Sequence, residues 1–116
     1  MPENKPTGKA SSSTSSATAP DLVDLHLSEL PTAYQALADS VGALPAQLAY
    51  LEAQLTRACA AKLPKLTVLH GTGSGMLRTQ IIAKLRDRPE VLSIEPDVSG
   101  RFGLGSAVVI RLRQQA

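Results

Sequence analysis

Cysteine is almost absent from this sequence: Cys59 stands alone among 116 residues. A single thiol can close no intrachain disulfide and build no thiolate metal cluster, and it fits a reducing compartment, so a cytoplasmic location is expected. Tryptophan is missing altogether, and the aromatic share is 3%, supplied by Tyr34, Tyr50 and Phe102. So few rings exclude an extended platform on which successive nucleobases stack. No stretch approaches the roughly 18 consecutive apolar residues that a membrane helix needs, so a membrane is not an expected partner. Large apolar side chains are also lacking from residues 1–20, where Ser, Thr, Ala, Pro and Lys dominate after Met1. Such a stretch cannot bury enough surface to offset its ordering entropy. It has no apolar centre of the kind a signal peptide carries. The expectation is a disordered tail or interdomain linker over residues 1–20, followed by one domain over residues 21–116.

Within that domain the hydrophobic pattern is legible. Asp21 to His26 alternates Val23 and Leu25 with Asp24 and His26, a strand signature. Residues 28–44 carry few large apolar groups and read as a connection with one or two helical turns around Ala33 to Ser40. From Pro45, the residues Leu48, Leu51, Leu55, Ala58 and Cys59 recur at helical spacing until Pro64 stops the run. Lys65 to His70 repeats the strand pattern and ends, like the first strand, on a histidine. A second helix is expected from Met76 to Asp87 with Leu77, Ile81 and Leu85 facing inward, ended by Pro89. Val91 to Glu95 and Ser106 to Arg113 read as two more strands around a glycine-bearing turn, Asp97 to Gly105. The order β-α-β-α-β-β predicts an α/β two-layer sandwich. Its four-stranded mixed sheet would have two helices on one face, parallel neighbours across each crossover, and a closing antiparallel hairpin.

Both histidines therefore close predicted parallel strands, at the edge where ligands of open α/β sheets collect. Adjacent strands lie roughly 5 Å apart, so His26 and His70 line one crevice if their strands are neighbours. Asp24 shares a face with His26 and is placed either to orient its imidazole or to hold a positive charge. Gly71-Thr72-Gly73-Ser74-Gly75 then joins strand to helix. Glycines let the backbone turn its N–H groups inward, and a helix N-terminus adds positive partial charge, which is the physics of a phosphate cradle. It is no P-loop, because Met76 and Leu77 stand where Lys and Ser or Thr are required, and its glycine spacing misses the dinucleotide fingerprint. Arg78, in the first helical turn, opposes the helix dipole and is placed to reach the same anion. The net charge of +2 is asymmetric: residues 65–116 carry eight basic and four acidic side chains, against two and five in residues 21–64. That half-basic surface admits nucleic acid as a partner. No His, Cys and carboxylate spacing makes a zinc site.

Asp24-Leu25-His26, together with His70-Gly71-Thr72-Gly73-Ser74-Gly75 and Met76-Leu77-Arg78, resembles the small MutS-related (Smr) domain family. Phe102 to Arg111 is similar to that family's glycine-rich approach to its last strand, so the resemblance covers about residues 21–113. Leu27 departs from the glycine often found after the first motif, and Thr72 replaces a frequent lysine. The insertion at residues 28–44 is like that of a subset of Bacteroidetes proteins whose Smr domain closes a longer chain, so an N-terminal domain is an implied neighbour. The resemblance implies binding to DNA or RNA, with endonuclease activity in several members. It implies Asp24, His26 and His70 as catalytic candidates and Gly71, Thr72, Gly73, Ser74, Gly75 and Arg78 as phosphate contacts. Two chemistries stay open: metal-independent acid–base cleavage by the histidines, or water activation by a divalent cation such as Mg²⁺ held at Asp24. The alternative is a non-catalytic nucleic-acid or ribonucleoprotein binding module.

Overall fold

The computed structural model describes residues 20–73 and 75–114. The expected tail, Pro20 excepted, lies outside the described residues. Four strands form one sheet: β1 (Leu22–Asp24), β2 (Lys65–Leu69), β3 (Val91–Pro96) and β4 (Ala107–Leu112). Their spatial order is β1-β2-β4-β3. β1 runs parallel to β2, with Val23 opposite Val68, and β4 runs antiparallel to both β2 and β3. The sheet is thus mixed, as the sequence implies. The second crossover differs from expectation: β2 and β3 are not neighbours, because the returning strand β4 inserts between them. Paired on both sides, β4 buries Ala107, Val108, Ile110 and Leu112.

Three helices accompany the sheet: α1 (Thr32–Val41), α2 (Ala43–Ala60) and α3 (Met76–Leu85). Leu48, Leu51, Leu55 and Ala58 of α2, with Ile81 and Leu85 of α3, join Val23, Leu66, Val68, Val108, Ile110 and Leu112 in a single core. Burying each of the large aliphatic side chains among them is worth about 1.5–3 kcal/mol. Leu22, Thr67 and Val109 lie in one cross-strand row on the opposite face, Thr67 buried and the other two half-buried.

The insertion holds more structure than its composition suggests. After a 3₁₀ turn at Leu27–Glu29, α1 forms ten residues and α2 starts two residues before Pro45. Gly42 separates the two helices at φ 102°, a conformation open to glycine and strained for other residues. α1 buries no residue fully and leans on α2 through an edge contact between Tyr34 and Tyr50, ring centroids 5.1 Å apart. Cys59 is only half-buried, as is Leu77, where the helical stripes predict full burial.

Candidate functional site

Strand order brings the two histidines to adjacent strand ends. Asp24 is the last residue of β1, and its Oδ1 accepts the backbone N–H of His26 at 2.9 Å and faces the His26 Nδ1 at 2.6 Å. An ionised carboxylate only accepts, so this contact places the ring hydrogen on Nδ1 and leaves the Nε2 lone pair free in the neutral imidazole. The His26 side chain is 52% exposed. His70, one residue beyond β2, is held differently. Its Nδ1 donates to the Gly71 carbonyl at 2.7 Å, and its Nε2 is shielded and has no hydrogen-bond partner among the described residues. Burial pulls its pKa below the ordinary 6.5; the Gly71 carbonyl works the other way, while Arg78 and His26 add charge repulsion. His70 is thus biased toward its neutral form.

Gly71 is where the two halves meet. Its φ is +81°, and a Cβ placed on it would stand 3.1 Å from the His26 Nε2. A side chain here would be strained by the backbone and crowded by the imidazole. Its N–H, like that of His70, donates to the Ser106 carbonyl (3.0 and 2.9 Å), which ties the glycine loop to the approach to β4.

Beyond Gly71 lies a cleft of about 280 Å³. Ala43, Leu44 and Gln47 from the start of α2 wall one side; His70, Gly71, Gly73, Gly75 and Arg78 wall the other. Gly75 begins α3 at φ 85°, in the left-handed region, and its carbonyl accepts the N–H of Thr79 at 2.9 Å. The N–H groups of Leu77 and Arg78 have no acceptor inside the helix and lie at the positive end of its dipole, a setting suited to an anion. Arg78 is exposed and makes no ion pair among the described residues.

The sequence-predicted residues thus divide. Asp24, His26, His70 and Gly71 come together, and Gly73, Gly75 and Arg78 line the adjoining cleft. Thr72 is exposed and does not line it, and Ser74 lies outside the described residues. Gln47, unmarked in the sequence reading, is part of the wall and donates to the Leu25 carbonyl at 2.8 Å, fixing α2 to the exit of β1. A glutamine on the polar side of a helix gives no signal of that contact. Among the described residues no three His, Cys, Asp or Glu side chains converge as metal ligands. Asp24 stands apart from other carboxylates there, with Oδ1 engaged by His26. Burial raises the Cys59 thiol above its usual pKa, which makes it a weak nucleophile. No helix among the described residues is long and apolar enough to cross a membrane.

Comparison with known proteins follows the same outline. The family model of the Smr domain matches residues 23–113. "Endonuclease MutS2" of Thermomicrobium roseum is 48% identical over 59 residues, which are 51% of this chain and 7% of that protein. This chain therefore spans only a small part of that relative's length. Among solved structures, the Smr domain of Thermus thermophilus MutS2 superposes with a TM-score of 0.52 at 32% identity. The match covers 80% of this chain and 98% of that one.

Proposed function

As the chain belongs to the Smr domain family, we propose that it binds a nucleic-acid strand across the carboxyl ends of β1 and β2 and cleaves its phosphodiester backbone there. The observation that carries this reading is the meeting of the Asp24–His26 pair with Gly71, a residue that also walls the adjoining cleft. The loop amides and Arg78 hold the phosphate and offset the charge that builds on it in the transition state. Asp24 is a positioning residue: it fixes the tautomer in which the His26 Nε2 can accept a proton.

His26, exposed beside Gly71, takes the proton from the attacking oxygen, either the 2′-hydroxyl of RNA or a water. The new P–O bond forms as the bond to the leaving oxygen breaks, and that oxygen takes its proton from solvent. His70 contributes mainly by holding the Gly71 carbonyl, since its Nε2 is covered and burial disfavours its charged form. A symmetrical two-histidine mechanism would require the loop to open around His70. The engagement of Asp24 Oδ1 by His26 is the contact that favours the metal-independent reading over a cation held at Asp24.

The test is incubation of the full chain with labelled single-stranded DNA, duplex DNA and structured RNA, in Mg²⁺, in Mn²⁺ and in EDTA. Cleavage should persist in EDTA and fall about 100-fold or more in His26→Ala, the scale of a lost general base, with a smaller loss in Asp24→Asn. Cleavage that survives His26→Ala would place the chemistry elsewhere. Salt-sensitive binding without cleavage in any lane would leave a binding module on the same surface.

A further inference from the structure

The loop between β3 and β4, residues 97–106, closes the same edge of the sheet as the glycine loop. The two are joined directly, since the Ser106 carbonyl accepts the N–H groups of both His70 and Gly71. Three glycines at positive φ, Gly100, Gly103 and Gly105, fold the loop into a compact tip. The tip presents Val98 and Leu104, 83% and 79% exposed, the two most exposed large apolar side chains among the described residues. Between them in the chain, the Arg101 guanidinium lies over the half-buried Phe102 ring, 4.7 Å from its centroid. Arg111, farther along the hairpin, is held by Glu95 at 3.4 Å, and Arg113 donates to the Pro89 carbonyl at 3.0 Å. Arg101 makes no ion pair among the described residues.

We infer that the Arg101–Phe102 pair is a stacking platform for one unpaired nucleobase, that of a nucleotide adjoining the phosphate held by the glycine loop. The inference rests on the nucleic-acid reading of the site and adds a preference to it. A guanidinium supported by a ring offers its other flat face to a base, and Val98 and Leu104 add apolar surface to the same tip. A paired base is already stacked within its helix and cannot use the platform. The site would therefore select unpaired strands. One ring suffices for one base, so the scarcity of aromatics limits the platform to a single nucleotide.

The experiment compares the full chain with Arg101→Lys, which keeps the charge and loses the plane, and Phe102→Leu, which keeps apolar bulk and loses the ring. Affinity for a short single-stranded oligonucleotide and for its duplex is read by fluorescence anisotropy across a salt series. Each variant should bind the single strand about tenfold more weakly, the scale of one lost base-stacking contact, with duplex affinity and salt slope little changed. Thermal melting checks that each variant folds, and Arg101→Lys, at an exposed site, carries the test if Phe102→Leu does not fold. Retained single-strand affinity in Arg101→Lys would overturn the platform, as would equal losses for single strand and duplex. A wild-type chain that binds neither form at low salt would overturn the platform together with the nucleic-acid reading. Wild-type binding that the variants leave intact overturns the platform alone.

Discussion

Gly71 carries two constraints at once: its backbone lies at φ +81°, and the space where a Cβ would stand is bounded by the His26 Nε2 at 3.1 Å. In Gly71→Ala the left-handed conformation alone costs about 1–2 kcal/mol. The exposed His26 ring must also give way by a few tenths of an ångström, away from the position Asp24 holds it in. The expected result is a lower melting temperature together with a loss of cleavage larger than the loss of folded protein. Melting curves beside single-turnover rates would show it, and full activity in the Gly71→Ala variant would detach the loop from the His26 site. At this scale much was legible in the sequence. Two histidines at strand ends, one before a run of alternating glycines, mark the site without coordinates. The asymmetry between them was not legible. Whether an imidazole is exposed like that of His26 or has a shielded Nε2 like that of His70 depends on neighbours distant in sequence, among them Ser106 and the wall of α2.

The elements differ in what they contribute to the fold. α2 and α3 bury their apolar stripes against the sheet; Glu52 of α2 pairs with Lys84 of α3 and with Arg88 beyond its end, each such half-exposed pair worth at most about 1 kcal/mol. α1 buries nothing fully. Leu51→Ala should therefore destabilise by about 2–5 kcal/mol. Tyr34→Ala removes one aromatic contact with Tyr50 and should cost about 0.5–1.5 kcal/mol. Chemical denaturation of the two variants checks the contrast, and equal losses would make α1 part of the core. The same difference explains what the sequence reveals. The stripe Leu48, Leu51, Leu55 and Ala58 announces α2, whereas Tyr34, Leu37 and Val41 in α1 are too few and too small a set to separate a helix from a connection. The place of β4 between β2 and β3 was hidden for another reason. Alternation gives each strand's faces, but only pairing across the sheet gives its neighbours.

Over the whole molecule, three connections meet at one edge: the turn after β1 with His26, the loop from Gly71 to Gly75, and the β3–β4 loop with Arg101. Two arginines at this edge, Arg78 and Arg101, make no ion pair among the described residues, while Lys65, Lys84, Arg88 and Arg111 elsewhere on the domain are paired with carboxylates. Half of the basic side chains in the second half of the sequence are thus paired with carboxylates, and Arg78 and Arg101 are the unpaired ones at the edge where the glycine loop lies. The row Leu22, Thr67 and Val109 on the other face of the sheet, half-buried at Leu22 and Val109, is the competing surface, and the cations beside it, Lys65 and Arg111, are paired. The most direct measurement is a titration of the isotopically labelled full chain with a short single-stranded oligonucleotide, followed through its backbone amide and imidazole resonances at two salt concentrations. The account predicts salt-sensitive shifts concentrated at Gly71, Gly73, Gly75, Arg78 and the His26 ring, extending to Arg101 and Phe102. Shifts gathered instead on Leu22, Thr67 and Val109, with the glycine loop unmoved, would contradict it.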